Sequence, residues 1–151
     1  MVTKIQQTIG LATTALALCS CKPHEQPMNL VSYSTPDALQ SEIDERKDEM
    51  MRQLAHCETG GSGPSDRPIY GGRGTYLGRF QFSVTTVISY QRKRDGTQLT
   101  GREAADLAHD HVRAGELAKY IIFELEEPWH WPLCARKIGL RDEMAHIKTL
   151  S

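Results

Sequence analysis

The sequence predicts a small, mainly α-helical protein with a single folded domain. The chain has 151 residues, of which 39% are hydrophobic and 25% charged, a composition typical of one globular domain with short appendages. Apolar residues recur at three- and four-residue steps behind helix-capping residues, and this is the pattern of amphipathic helices. An N-terminal export signal, and the cysteines that remain behind it, add one disulfide bond to the prediction.

The charge balance argues against nucleic-acid binding. Lys and Arg number 18 against 19 Asp and Glu, for a formal net charge of -1, whereas nucleic-acid binders carry a basic patch or stripe. We also expect no metal site and no organic cofactor. Asp106, His109, Asp110 and His111 have the side chains of metal ligands, but His109 and His111 point to different sides of a helix.

Residues 1–20 have the pattern of a signal peptide, and we expect the lipoprotein type. Lys4 precedes the apolar run 8–18 (TIGLATTALAL), which is shorter than the about 20 residues that span a bilayer. Leu18-Cys19-Ser20-Cys21 resembles a bacterial lipobox, although Cys19 stands where a small residue is usual. We therefore expect an exported protein anchored through lipid on Cys21 at the periplasmic or outer surface of the cell envelope. Secretion without a lipid and an ordinary buried N-terminal helix are the alternatives.

The cysteines behind this signal predict one disulfide bond. Removal of residues 1–20 leaves Cys21, Cys57 and Cys134. If Cys21 carries lipid, two cysteines remain, and the oxidising surroundings of an exported protein favour their pairing. Two separate buried thiols are the alternative.

A linker at residues 21–35 precedes the first predicted helix. Thr35-Pro36-Asp37 combines a capping residue, a proline at the first helical position and an acid in the first turn. Thr59-Gly60-Gly61 ends the helix. The apolar face between these limits consists of Leu39, Ile43, Met50, Leu54 and Cys57.

Residues 59–78 are the one long irregular stretch that we expect inside the domain, because they are rich in glycine and turn residues. Long loops of this kind are usually functional or disordered. The β-branched content of residues 80–90 suits a strand. The sequence thus leaves the structure of residues 80–90 open at this point.

Helical patterns return in the second half of the domain, which we place at residues 36–140. Thr100 and Glu103 form a capping box, and the apolar stripe behind it consists of Ala104, Leu107, Ala108 and Val112. A second stripe consists of Leu117, Ala118, Ile121, Ile122 and Leu125, before Pro128. An aromatic segment ends the domain, and residues 141–151 form a short helix or a tail.

Glu58 is the residue whose position favours acid–base chemistry. It lies at the end of the first predicted helix, where the negative end of the helix dipole disfavours a charged carboxylate. Packing against aromatic walls would raise its pKa further, and a carboxyl that stays protonated near neutral pH can act as a general acid. A solvated carboxylate at a helix end is the alternative.

Three motifs follow one another along the chain. They are Cys57-Glu58-Thr59-Gly60-Gly61, then Gly78-Arg79-Phe80-Gln81-Phe82-Ser83 with Thr86 behind it, and then Trp131-Pro132-Leu133-Cys134-Ala135. In this order they resemble the resuscitation-promoting-factor type of transglycosylase domain. The family pattern runs Cys-Glu-Ser-Gly-Gly, then Gly-Gly-Leu-Gln-Phe-Ser/Thr with a following Thr, then a late Trp-Pro-x-Cys. The resemblance covers residues 54–139.

The resemblance implies a small lysozyme-like fold that cleaves bacterial peptidoglycan. It implies that Glu58 is the catalytic glutamate and that Cys57 and Cys134 form the family disulfide. It also implies that Gln81 and Thr86 line the sugar cleft, with a helix cap or a structural hydrogen bond as the alternative for both. It also favours a short helix after Phe82 over a strand.

The sequence departs from the family pattern at several positions. Thr59 replaces the usual Ser, and the loop 62–77 is longer. This loop carries Asp66, the acid that we count among the candidate substrate contacts. Trp129 is a further candidate because it could stack on a sugar ring, although such aromatics are more often core, the location we expect for Trp131.

The predicted function is cleavage of the β-1,4 bond between N-acetylmuramic acid and N-acetylglucosamine, with Glu58 as general acid and then base. One carboxyl suffices for a lytic transglycosylase, whereas hydrolysis normally needs a second one, for which Asp66 is the candidate. A non-catalytic lysozyme-like lipoprotein that binds cell-wall glycan or a partner is the first alternative. An inhibitor or surface interaction module is the second. We expect a monomer whose partners are glycan strands and, through Cys21, the membrane.

Overall fold

The computed structural model describes residues 35–61 and 67–151, and within them the protein is mainly helical. The helices are α1 (Pro36–Glu58), α2 (Val84–Asp95), α3 (Gly101–His109), α4 (His111–Lys119), α5 (Pro132–Lys137) and α6 (Leu140–Leu150). A two-stranded sheet, β1 (Tyr70–Gly71) and β2 (Tyr76–Leu77), lies between α1 and α2, and short 3-10 and π-helical turns complete the chain. None of the described helices is long and apolar enough to span a bilayer. The predicted signal peptide, Cys21 and Asp66 lie outside the described residues.

Helix α1 begins and ends where the sequence predicts. The Thr35 side chain accepts a hydrogen bond from the amide of Ala38, and Pro36 occupies the first turn. At the other end, Gly60 and Gly61 adopt positive φ angles of 60° and 89°, a conformation open to glycine without a side-chain penalty. This turn lets the Gly61 amide donate to the carbonyl of His56 at 2.8 Å, which satisfies a carbonyl that the helix end leaves free.

The glycine-rich stretch contains a short antiparallel hairpin. Tyr70 pairs with Leu77 and Gly71 with Tyr76. Gly78 follows with φ 70°, and a Cβ atom at this position would lie 1.7 Å from the carbonyl oxygen of Ala108. Only glycine therefore allows the end of the hairpin to pack directly against the backbone of α3.

Residues 84–95 form a helix rather than the strand that their β-branched content suits. The Ser83 side chain accepts from the amide of Thr86 at 3.1 Å, and Gly96 ends the helix in the left-handed conformation. A capped start and a glycine stop override the weaker β-propensity of the residues between them. Helix α2 packs against α3, which begins with the predicted capping box of Thr100 and Glu103.

The prediction for Val112 is wrong. Ala104, Leu107 and Ala108 are buried as predicted, but Val112 is 70% exposed. The cause is Asp110, whose carboxylate accepts from the amides of Val112 and Arg113 at 3.0 Å each and starts a new helix. The change of direction at this cap turns Val112 away from the core.

The core lies where α1, α3, α4, the π-helical turn Tyr120–Glu124 and α6 meet. Its fully buried side chains include Leu54, Leu117, Ile121, Ile122 and Leu140, each 0% exposed. The stripe that the sequence places before Pro128 supplies three of these five residues. The C-terminal residues form the short helix α6, which packs against both α1 and α5.

Trp131 and the disulfide join three distant segments of the chain. The Trp131 indole N–H donates to the carbonyl of Phe80 at 2.7 Å, and its ring packs edge-on against Phe82 with centroids 5.5 Å apart. Three residues later, Cys134 is bonded to Cys57, with their Cα atoms 5.7 Å apart. The predicted core location of Trp131 and the predicted disulfide are both confirmed.

Replacement of Trp131 by Phe should destabilise the fold by about 2 kcal/mol, because it leaves the buried Phe80 carbonyl without a donor and opens a cavity. Trp129→Phe is the matched control. Trp129 is 54% exposed, so its replacement should change the free energy of unfolding by about 0.5 kcal/mol or less. Urea unfolding of both variants checks this, and equal effects would contradict it.

Loss of the disulfide should lower stability further. The cysteines are 77 residues apart in sequence, and closing a loop of this size in the unfolded chain is worth roughly 4.5 kcal/mol in the chain-entropy model, as an upper figure. Thermal unfolding of Cys57→Ser/Cys134→Ser beside the oxidised protein measures the loss. An unchanged Tm would contradict the expectation.

Candidate functional site

Glu58 continues the buried face of α1. Leu54 and Ala55 are both 0% exposed, and Glu58 follows them by four and three residues, on the same side of the helix. Its side chain is therefore directed toward the body of the domain, at the position where the apolar stripe would place another hydrophobic residue. The carboxyl is half-buried.

The surroundings of Glu58 favour the protonated carboxyl. Burial raises the pKa of Glu58 above its ordinary value. No hydrogen bond or ion pair links its carboxylate to another side chain in residues 35–61 and 67–151. The negative end of the helix dipole acts in the same direction as burial. A protonated carboxyl free of a partner and reachable by solvent can give its proton to a bound ligand.

The Gln81 side chain is engaged with the hairpin. Its amide nitrogen donates to the carbonyl of Gly78 at 2.7 Å, and its Oε1 packs so closely on Gly71 that a Cβ there would lie 1.7 Å away. Gln81 also adopts a positive φ of 50°, which is uncommon for a residue with a side chain. These contacts fix the backbone between β2 and α2, so Gln81 has a structural role in this chain.

Thr86 likewise has a local partner. Its hydroxyl lies 2.7 Å from the Ser83 hydroxyl, and its amide donates to the same Ser83 oxygen. This is the cap of α2. The structural hydrogen bonds that the sequence leaves open as an alternative for Gln81 and Thr86 are thus present, while contact of either residue with sugar stays a prediction.

Trp129 is not part of the core, because it is 54% exposed. It lines a cavity of about 400 Å³ together with Lys47 and residues of α6. Lys47 precedes Glu58 by eleven residues of α1, which corresponds to about 16 Å along the helix axis. The cavity that Trp129 lines thus includes a residue of α1 distant from Glu58, and contact of Trp129 with sugar stays a prediction.

Two exposed tyrosines on the hairpin are candidate contacts that the sequence reasoning missed. Tyr70 and Tyr76 are 62% and 47% exposed. Tyr76 covers Gly72, where a Cβ atom would lie 2.7 Å from its ring, and Tyr70 packs edge-on against His109. Both rings offer a flat apolar face of the kind that stacks on sugars. Their position in a glycine-rich turn could have indicated their exposure, because an aromatic side chain there has little hydrophobic core to pack against.

A second group of titratable residues holds α2 to the turn before α5. The Tyr90 hydroxyl donates to Glu127 and lies 2.6 Å from His130 Nε2, while Lys93 donates to Glu127 at 3.3 Å. Burial, followed by the hydrogen bond to Glu127, raises the pKa of Tyr90 to about 12. Tyr90 therefore stays a neutral donor and the cluster acts as a clamp between two elements.

In the part of the chain that the structure describes, no cluster of three or more His, Cys, Asp or Glu side chains is arranged to hold a metal ion. Comparisons with protein-family models, with curated proteins and with solved structures gave no significant match for this chain. The choice of function therefore depends on the residues and their surroundings.

The raised pKa of Glu58 predicts how a Gln substitution changes stability with pH. Between the ordinary glutamate pKa of 4.5 and the higher folded value, the folded state binds more protons than the unfolded state, so wild-type stability falls as pH rises. Glu58→Gln should remove this fall in stability, because glutamine does not titrate. The Tm of the variant should match wild type near pH 4 and exceed it at pH 7, and a difference that shrinks with rising pH would contradict the prediction.

Proposed function

We propose that this protein is an exported peptidoglycan-cleaving enzyme with a lysozyme-like domain, and that Glu58 is its general acid and base. The bond cleaved is the β-1,4 linkage between N-acetylmuramic acid and N-acetylglucosamine, and the reaction is that of a lytic transglycosylase. The observation that carries this proposal is the half-buried Glu58 at the end of the buried face of α1, with no side-chain partner among residues 35–61 and 67–151 and with its pKa raised by burial.

Contacts between the motif segments support a shared site. The segment around Phe82 contacts Trp131, and the segment of Trp131 is bonded through Cys134 to the residue before Glu58. Three stretches that resemble one family's motifs in sequence are therefore joined in space. A rigid frame around a single acid is what general acid catalysis needs, because misplacement of the proton donor lowers the rate steeply.

The reaction can be completed with one carboxyl. Glu58 gives its proton to the glycosidic oxygen as the bond from that oxygen to C1 of the muramoyl residue breaks, and the acetamido oxygen of the same sugar stabilises the cation at C1. The Glu58 carboxylate then takes the proton of the muramoyl 6-hydroxyl, whose oxygen bonds to C1. The product is a 1,6-anhydro sugar, Glu58 is protonated again, and no water is consumed.

Hydrolysis would need a second carboxylate near Glu58. Asp66, the acid that the sequence offers for this role, lies outside the described residues. We prefer the lytic reaction, since Glu58 alone can complete it.

A glycan-binding protein without catalysis is the second candidate. It is favoured by the local hydrogen bonds of Gln81 and Thr86, because a side chain held by its own loop has less freedom to serve a reacting sugar. The exposed Tyr70 and Tyr76 would suit binding as well as catalysis.

Digestion of purified peptidoglycan, analysed by mass spectrometry, tests these candidates. Wild type should release anhydro-muropeptides, and Glu58→Gln should lower their rate of release by about 100-fold or more, as expected for loss of a general acid. Glu45→Gln is the matched control. Glu45 lies on the exposed side of the same helix, so this variant should retain wild-type activity.

Each other outcome has a definite meaning. Products with reducing ends, in place of anhydro sugars, would show that the enzyme is a hydrolase and not a transglycosylase. Equal activity of Glu58→Gln and wild type would remove Glu58 from the mechanism. Absence of soluble product, with the protein retained on sacculi, would favour the glycan binder.

A further inference from the structure

A basic cavity lies on the other side of α1 from Glu58. Its volume is about 620 Å³, within the range of pockets that hold small molecules. The lining side chains with ionisable nitrogen are Arg52, His56, Arg79, His111 and Lys137, and Gln53, Cys57 and Ile138 complete the wall. Arg52, Gln53 and His56 point between about 120° and 160° away from Glu58 around the helix. The cavity is thus separate from the candidate catalytic site.

Arg79 is the residue that marks this cavity as a binding site. Its Nε atom is buried without a hydrogen-bond partner in the described structure. Its Nη1 lies 3.3 Å and 3.1 Å from the two ring nitrogens of His111. Burial, and then the guanidinium of Arg79, lower the pKa of His111. Within the described residues, Arg79 is thus a half-buried cation that faces an imidazole in place of the carboxylate that buried charges normally have as a partner.

The other charges around the cavity leave it positive. No Asp or Glu side chain is among its lining residues. Arg52 pairs with Glu49 one turn earlier, and the nearby Asp110 is engaged with the amides at the start of α4. Lys137 has no ion-pair partner within the described ranges. Among the described residues, no carboxylate thus compensates the charges that Arg79 and Lys137 present to this space.

We propose that this cavity binds a phosphate group carried by a larger molecule. Arginine offers a planar fork of donors that matches the oxygens of a phosphate, and lysine adds a point charge. An anion here would neutralise the charges of both Arg79 and Lys137. The space is too large for the anion alone, so the rest of the ligand would lie against the apolar part of the wall, at Cys57 and Ile138. This site does not depend on the activity of Glu58.

An NMR titration of the ¹⁵N-labelled full chain tests the proposal, with inorganic phosphate and glycerol 3-phosphate as probes. We expect shifts concentrated at Arg79, His111 and Lys137, tighter binding of glycerol 3-phosphate than of phosphate, and weakening by added NaCl. Lys137→Gln and Arg79→Gln should each weaken binding by about tenfold, the loss expected for a hydrogen bond to a charged group. Arg102→Gln, which removes an exposed arginine elsewhere, should bind as wild type does.

Lys137 is exposed, so Lys137→Gln is expected to fold. This variant therefore still tests the proposal if Arg79→Gln fails to fold. Vesicles of phosphatidylglycerol, compared with phosphatidylcholine, separate the possible sources of the phosphate. If the protein is retained on the anionic vesicles and Lys137→Gln reduces that retention, the phosphate belongs to a lipid headgroup. If the protein binds the soluble ester but not the vesicles, the ligand is soluble or polymeric. Shifts scattered over the surface, or equal binding by Lys137→Gln and Arg102→Gln, would overturn the proposal.

Discussion

The covalent bond between Cys57 and Cys134 fixes the end of α1 against α5, and both candidate sites lie beside it. Cys57 precedes Glu58 and also lines the basic cavity. A helix end is ordinarily the part of a helix that opens most readily, because its last carbonyls lack partners within the helix. Here the disulfide and the turn at Gly60 and Gly61 hold it in place. The position of the Glu58 carboxyl follows from that restraint.

Helix α1 separates two environments of opposite character. On the buried side, burial raises the pKa of Glu58, and no neighbouring cation acts against it. On the other side, the nitrogen-bearing side chains of Arg79, His111 and Lys137 gather around the cavity. A nearby cation would favour the charged carboxylate and lower its pKa. Because the basic residues lie on the other side of α1, they do not lower the raised pKa that suits Glu58 to be a proton donor.

Local signals allowed much of this fold to be predicted from the sequence. The caps at Thr35 and Thr100 depend on residues within a few positions of one another, and the cysteine pairing followed from a count. The start of α4 was missed although Asp110 is itself a capping residue, because the apolar spacing of Val112 fitted a continuous helix. The basic cavity could not be predicted, since Arg79 and His111 are 32 residues apart and only tertiary packing brings them together.

The roles of Gln81 and Thr86 decide how much weight the motif resemblance can carry. Each side chain is held by its own loop or helix start, so the fold alone gives a reason for a glutamine and a threonine at these positions. Their presence is consequently weak support for catalysis. Glu58 differs, because a carboxyl on the buried face of a helix adds a desolvation cost and stabilises nothing that the structure describes. A residue that lowers stability and makes no stabilising contact is best explained by a catalytic role. The proposed function therefore depends chiefly on Glu58.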